Sequence, residues 1–253
     1  MGKTILNYDN ITDSEIGFYN KYGYLMLPNL VKKEFIRYLQ LEVMEALEYV
    51  GVDTKKLNKA TSVADKLRHS NDYCKESLLD QLINGKETIA LVSQLIGGNA
   101  IRYFPFAVVK AGGGGGDFHM HQDNNYSLHD PVEGSINIWV ALVDMNPDNG
   151  CLQIVPESHK LGVLEWENAK DGDEHRKIKE KFENPLPVRL NAGDAVAFSR
   201  LTVHGSGANK TSEPRIAYAL QYHRDDVNFF DTDTNKWKSL EDEYKGRFAP
   251  RKA

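Results

Sequence analysis

His119-Met120-His121-Gln122-Asp123 directly follows five consecutive glycines, Gly112 to Gly116. His-x-Asp sets a neutral nitrogen ligand and an anionic oxygen ligand two residues apart. On a β-strand successive side chains point to opposite faces, so His121 and Asp123 are expected to share one. A second histidine from elsewhere would complete a two-histidine, one-carboxylate triad with open positions, the usual ligand set of non-haem Fe(II) sites. His204, in Leu201-Thr202-Val203-His204-Gly205-Ser206-Gly207, lies 81 residues beyond Asp123 and can supply it. Arg215 follows His204 by eleven residues, on the inward face of the next strand pattern. A guanidinium there can grip a carboxylate with two parallel hydrogen bonds, and Ser206 can donate to the same group.

Outward from this stretch, the totals narrow the classes. The chain has 253 residues, mixed charges and a net charge of −5, which argues against a nucleic-acid-binding surface. Its apolar runs are too short for a membrane span, and its opening residues lack a charged-then-apolar pattern. Cys74 and Cys151 belong to no paired metal-ligand spacing, and a reducing cytosol suits them. A cytoplasmic protein without nucleic-acid or membrane partners is expected. Oligomeric state is not readable.

The chain changes character near residue 100. Before it, Thr12-Asp13-Ser14-Glu15 reads as a capping box opening a short helix that Gly23 stops. Tyr24 to Leu27 reads as a short strand. A helix is expected over about 32–50, with Ile36, Leu39, Val43, Leu47 and Val50 on one face. Two more are expected over 75–84 and 86–96, whereas 52–75 shows no period. After residue 100, strands dominate: 101–110, 117–126, 135–144, 151–155, 188–190, 195–198 and 215–223. The glycine run between the first two reads as a mobile loop, either a lid or a spacer. Residues 165–184 read as a charged surface helix or loop. Helices followed by many short strands imply one α+β domain over 1–253, with a sandwich or barrel as its β part. Its helical portion covers about 12–98, its β core about 100–224 and its tail 225–253.

Several motifs, taken together and in order, carry a resemblance. They are Phe18-x-x-x-x-Gly23-Tyr24-Leu25 with Leu27-Pro28-Asn29-Leu30, then His121-Gln122-Asp123, then Trp139-Val140-Ala141-Leu142. Asn149-Gly150-Cys151-Leu152, Pro156-Glu157-Ser158-His159-Lys160, His204-Gly205-Ser206 and Arg215 complete the set. The chain resembles the phytanoyl-CoA dioxygenase family of Fe(II)- and 2-oxoglutarate-dependent oxygenases. The resemblance implies a double-stranded β-helix (jelly-roll, cupin-like) core with N-terminal helices packed against it. It implies Fe(II) on His121, Asp123 and His204, and 2-oxoglutarate with its far carboxylate on Arg215 and Ser206. Gln122 and Trp139 match family positions lining the cosubstrate pocket, and Asn137 is a plausible further contact. The implied reaction consumes dioxygen, releases succinate and CO2, and hydroxylates an unactivated C–H bond of a small metabolite or natural-product intermediate. Where the family usually has a turn glycine this chain has Glu157, which puts the local backbone in question.

Other readings stand beside these. His119 can pair with His121 as a ligand, but a cupin-type site would want a glutamate where Asn125 and Tyr126 stand. His159 and His223 read as structural. Gln122 points away from Asp123 on an ideal strand, so a cosubstrate contact needs a bulge. The same metal chemistry can also end in desaturation, epimerisation or ring formation. A catalytically silent metal- or ligand-binding jelly roll is the alternative from another class.

Overall fold

A computed structural model describes residues 4–8, 10–49, 51–57, 62–66, 76–114, 116–169 and 175–240. Helix α1 (Asp13–Tyr22) starts at the expected capping box. The Thr12 hydroxyl accepts from Glu15 N at 3.2 Å and the Glu15 carboxylate accepts from Thr12 N at 2.8 Å. After strand β1 (Tyr24–Leu27), α2 (Lys33–Tyr49) buries Ile36, Leu39, Val43 and Leu47, the stripe its 3.6-residue period sets out. Val50 lies outside the described residues. Strand β2 (Ser62–Lys66) precedes helices α3 (Leu78–Asn84) and α4 (Lys86–Ile96).

The strands that follow are β3 (Ala100–Arg102), β4 (Phe106–Lys110), β5 (Phe118–His121), β6 (His129–Asp130), β7 (Ser135–Ala141), β8 (Leu152–Ile154) and β9 (Trp166–Asn168). Then come β10 (Arg176–Ile178), β11 (Leu186–Pro187), β12 (Ala195–Ser199), β13 (His204–Ser206), β14 (Arg215–Arg224), β15 (Asn228–Asp231) and β16 (Lys236–Ser239). One antiparallel sheet runs β1-β12-β7-β14-β4-β2, with β3 also on β14, and a second runs β11-β8-β13-β5. These two sheets face each other as a jelly roll, and the fold is α+β.

Strand β14 shows why the layers form. Ile216, Tyr218, Leu220 and Tyr222 pack with the helices, whereas Ala217 and Ala219 join Trp139, Val108, Leu152 and Phe198 between the sheets. The alternate residues therefore bury one face under α2, α3 and α4 and turn the other inward. Arg215 shares the parity of Ala217, which sends its side chain into the interior. The two alanines keep that interior open where larger residues would fill it.

Five local expectations are corrected. The strand over 117–126 stops at His121, because Asp123–Asn125 turn into a 3₁₀ segment with Tyr126 N donating to Asp123 O at 3.1 Å. Arg200 fixes that turn from inside, donating to the carbonyls of Asp123 at 3.0 Å and Ser127 at 3.2 Å. The strand over 101–110 is broken around Pro105, which has no N–H for a ladder. The aperiodic 52–75 contains β2, which extends the large sheet beside β4. Residues 165–184 contain neither a helix nor a bare loop among those described, but the β9–β10 hairpin. Finally, the glycine run is tied down where described. Gly113 N donates to Thr211 O and Gly114 N to Asn209 O, both with left-handed backbone (φ 76° and 107°). A Cβ on Gly112 would lie 2.1 Å from Ser212 O, so only glycine permits this approach.

Candidate active site

Strands β5 and β13 pair antiparallel with His121 opposite His204. That register brings the two imidazoles to a ring separation of 4.3 Å. The 3₁₀ turn after β5 then swings the Asp123 carboxylate back over them. Asp123 Oδ1 lies 3.5 Å from His121 Nε2 and 3.7 Å from His204 Nε2. One ligand atom from each of the three residues lies within 4.8 Å of the others. The shared face that a strand would have provided is achieved instead by the turn.

The ring nitrogens are sorted by their backbone partners. His121 Nδ1 donates to His119 O at 2.7 Å, and His204 Nδ1 donates to Thr202 O at 2.9 Å. A carbonyl only accepts, so each Nδ1 carries a hydrogen and each ring turns its Nε2 toward Asp123. This is how metal-binding histidines are oriented, with the outer nitrogen holding the tautomer. Burial, joined by the charge of His121, pulls His204 down to about 4, which keeps it neutral and able to ligate. Burial works against charge on His121 too, but the Asp123 carboxylate outweighs it and leaves that ring raised. Asp123 is opposed by burial yet held well below the usual carboxylate range by His204, His121 and Arg200. Two imidazole nitrogens and one carboxylate oxygen are a donor set that fits a divalent first-row metal with free positions.

Arg215 is fully buried where β14 begins. Its Nη1 donates to Gly150 O at 2.9 Å, and the guanidinium stands 5.1 Å over the Trp139 ring. Its Nε and Nη2 are buried with no partner among the described residues. Leaving such donors unpaired costs about 1–3 kcal/mol each, so the pocket is built for an anion. Burial draws Arg215 down to about 10, which leaves it cationic at neutral pH. Ser206 is buried on β13, two residues beyond His204.

Of two expected cosubstrate contacts, Gln122 is fully engaged elsewhere, whereas Asn137 spends one amide hydrogen on Asp123 and keeps a buried Oδ1 with no partner among the described residues. Gln122 spends both amide hydrogens on Gly162 O (2.9 Å) and Leu201 O (2.7 Å), while its oxygen accepts from Leu164 N (2.8 Å). It has no donor left for an anion, so its work is to lash two loops beneath the metal strand. Asn137 Nδ2 donates to Asp123 Oδ2, which aims that carboxylate's other oxygen at the histidines. Among the other histidines, His119 contributes its carbonyl to His121, His159 bonds Asn20 O through Nε2 (3.0 Å), and His223 donates to Arg224 O.

A sequence profile of the phytanoyl-CoA dioxygenase (PhyH) family matches residues 19–217. The chain belongs to the phytanoyl-CoA dioxygenase family. It is 26% identical to a probable phytanoyl-CoA dioxygenase of Caenorhabditis elegans, over 90% of this chain and 81% of that protein. It is 28% identical to a methylphosphonate hydroxylase of Gimesia maris, over 84% of this chain and 81% of the other. Among solved structures it superposes, with a TM-score of 0.68 and 21% identity, on the epimerase SnoN in complex with Fe3+, alpha-ketoglutarate and nogalamycin RO, covering 86% of this chain and 85% of that one. As a member of the phytanoyl-CoA dioxygenase family, the protein is a 2-oxoglutarate-dependent non-haem iron dioxygenase, working with Fe(II), 2-oxoglutarate and dioxygen.

Reading the motifs alone overlooks two parts of this dioxygenase's site. Lys110 is fully buried beside Arg215, in register with it across β4 and β14. Its signal in sequence was a lysine ending an apolar strand before the glycines. The β9–β10 hairpin brings Arg176 to the mouth, 4.0 Å from the Trp166 ring and 5.3 Å from Tyr126, whose ring meets His121 edge-on at 5.7 Å. Arg176 lay in a charged stretch without period, so nothing in the pattern set it apart. Among the described residues no helix is long and apolar enough to cross a membrane.

Proposed function

We propose that the protein hydroxylates an unactivated C–H bond of a small metabolite or natural-product intermediate. His121, Asp123 and His204 are the iron ligands in this reading. Arg215 and Ser206 take the far carboxylate of 2-oxoglutarate, and Trp139 walls the pocket against the guanidinium. The observation that carries it is the pairing of two incomplete sites in one barrel: three metal-ready donors, and a buried guanidinium with two unpartnered nitrogens. Bound iron and cosubstrate supply oxidation by dioxygen, with succinate and CO2 as the cosubstrate's products. The chain's residues orient and exclude. His119 O and Thr202 O hold the imidazole tautomers, Asn137 aims Asp123, and Arg200 fixes the turn that carries it. Asp123 fills the coordination position that a halide would need, which favours transfer of oxygen.

At the mouth, Tyr126 and Trp166 are each 37% exposed and Arg176 lies against both rings. A small polar substrate suits this rim better than a long apolar one. The protein's action in the cytoplasm on a free small molecule belongs to the same proposal.

The test is oxygen-dependent release of succinate from 2-oxoglutarate after adding Fe(II), with a metabolite panel read by mass spectrometry. A product carrying one oxygen atom from 18O2 is expected. Desaturated or epimerised products without the label would replace hydroxylation with another outcome. Absence of any succinate release, coupled or uncoupled, would overturn the reading.

A further inference from the structure

The β9–β10 hairpin turns one face inward, and its register says which. Arg176 stands opposite Asn168, Lys177 opposite Glu167 and Ile178 opposite Trp166. Alternate positions share a face, so Arg176, Ile178 and Trp166 lie on one side and Lys177 and Glu167 on the other. Ile178 is 2% exposed, which marks its side as the one packed on the body of the protein. Lys177 and Glu167, each about half exposed, pair at 3.9 Å on the outside. Arg176 is therefore turned toward the barrel mouth. Two contacts fasten the hairpin there: Arg176 N donates to Tyr126 Oη at 2.8 Å, and His175 meets Phe118 of β5 edge-on at 5.1 Å. Strand β5 is the one that carries His121.

What surrounds the Arg176 guanidinium is aromatic and not acidic. It lies 4.0 Å from the Trp166 ring and 5.3 Å from the Tyr126 ring, and it makes no hydrogen bond or ion pair among the described residues. The hairpin's lysines differ, since Lys177 has Glu167 and Lys179 has Glu165 at 3.1 Å. Rings attract a cation but supply no acceptor for its N–H groups. Those groups form a flat fork that matches two oxygens of a carboxylate or a phosphate. Burial against the rings also removes part of the guanidinium's water, the main cause that draws its pKa down. A partly dried cation with idle donors gains most from an anion. The position suits a guest of the metal site: the Tyr126 ring lies between Arg176 and His121, whose ring it meets at 5.7 Å. The far carboxylate of 2-oxoglutarate belongs to the fully buried Arg215, which leaves Arg176 for a different anion.

We propose that the substrate is a small acid, a carboxylate or a phosphate monoester, and that the Arg176 guanidinium, set against Trp166 and Tyr126, grips its anionic group. This rests on the reading of the metal and cosubstrate sites given above and adds to it the class of substrate. Arg176 determines specificity: it selects and orients the molecule to be oxidised and takes no part in the oxidation. The anionic group stays at the rim while the rest of the substrate reaches past Tyr126 toward His121 and Asp123. The C–H bond that reacts is therefore several bonds away from the anion.

The experiment uses a panel of small carboxylic acids, each matched with its primary amide, and phosphate monoesters, each matched with its parent alcohol. Each compound is added to the protein with Fe(II), 2-oxoglutarate and oxygen, and succinate release is read above the rate without it. At least one acid should stimulate release about tenfold more than its neutral partner, and its class names the anion. Calorimetric titration of that acid into the loaded protein without oxygen should give a Kd about tenfold weaker in Arg176→Met, the size of a lost hydrogen bond between charged groups. Arg176→Lys, which keeps the charge but not the fork, should lose less. The preference for acid over neutral partner should vanish in Arg176→Met. Equal stimulation by acids and their neutral partners, or by no compound, would overturn the proposal, as would an unchanged acid preference in Arg176→Met. An equal loss of acid and neutral binding in that variant would make Arg176 only a brace of the hairpin and would overturn it too. Absence of succinate release under every condition, uncoupled release included, would instead strike the reading of the metal and cosubstrate sites. Where Arg176→Met does not fold, the wild-type panel and Arg176→Lys decide.

Discussion

The two ends of the barrel interior are finished to different degrees. At the metal end, His121 and His204 each have the outer nitrogen fixed on a carbonyl, and Asn137 and Arg200 hold Asp123. The atoms that would touch a metal, His121 Nε2, His204 Nε2 and an Asp123 oxygen, are left facing one another. At the anion end, Arg215 and Lys110 rest on carbonyls, and two guanidinium nitrogens have no partner among the described residues. A metal brings strong bonds and needs donors held ready, so the protein fixes them beforehand. A carboxylate brings its own charge and acceptors, so the protein leaves donors unpaired for it. The metal end is preorganised and the anion end is completed by its guest.

Substitutions can break this contrast or sharpen it. The largest effect is expected at Asp123: Asp123→Ala should reduce bound Fe(II), measured by elemental analysis, from about one per chain to background and end succinate release, since two imidazoles alone do not make a facial triad. Arg215→Met should raise the 2-oxoglutarate dissociation constant about a hundredfold, the usual result of removing one partner of a buried charge pair, while metal content stays at wild-type level. An equal loss of metal in that variant would mean that the ends are not separable. Asn137→Ala should weaken Fe(II) binding about tenfold, as removal of an outer partner of a ligand does, and leave 2-oxoglutarate affinity at saturating metal unchanged. Gln122→Met should cost about 2 kcal/mol in denaturant unfolding by stranding buried backbone groups, with little change in cosubstrate affinity. A large affinity loss there, at unchanged stability, would restore Gln122 as a cosubstrate contact.

Proton linkage offers a check on the anion end without cosubstrate. Lys110 is lowered from 10.5 to about 7 in the folded protein. Between those values the unfolded chain holds a proton that the folded chain has released, so stability from this group rises with pH across that window. The penalty is fully present below it. Lys110→Met should flatten the rise in thermal melting across the window.

Much of this was legible in the residues, and the remainder was not for definite reasons. The helices were legible because their apolar periods and caps are local: Thr12 with Glu15, and the Ile36-Leu39-Val43-Leu47 stripe. The inward face of β14 followed from its alternation. The turn at Asp123 was not legible, because what bends the chain there includes Arg200, 77 residues away. The engagement of Gln122 was hidden for the same reason, since an amide at a pocket position looks alike whether it meets a ligand or a backbone carbonyl. Glu157, in place of the family's turn glycine, adopts left-handed backbone at φ 65°. The turn is kept, with Glu157 N donating to Tyr22 O at 2.8 Å and the side chain on Lys160 at 2.7 Å. Glu157→Gly should therefore stabilise by about 1 kcal/mol, less the small worth of an exposed ion pair, as read from denaturant midpoints. No change or a loss would mean that the ion pair outweighs the strain.

The most direct test of the paired sites is an anaerobic titration of Fe(II) into protein saturated with 2-oxoglutarate, followed through the visible absorption of the iron–cosubstrate chelate. One equivalent of iron should develop the band in wild type, none should appear in Asp123→Ala, and Arg215→Met should reach it only at far higher 2-oxoglutarate. A band of wild-type strength in Asp123→Ala, or no band in wild type, would contradict the account.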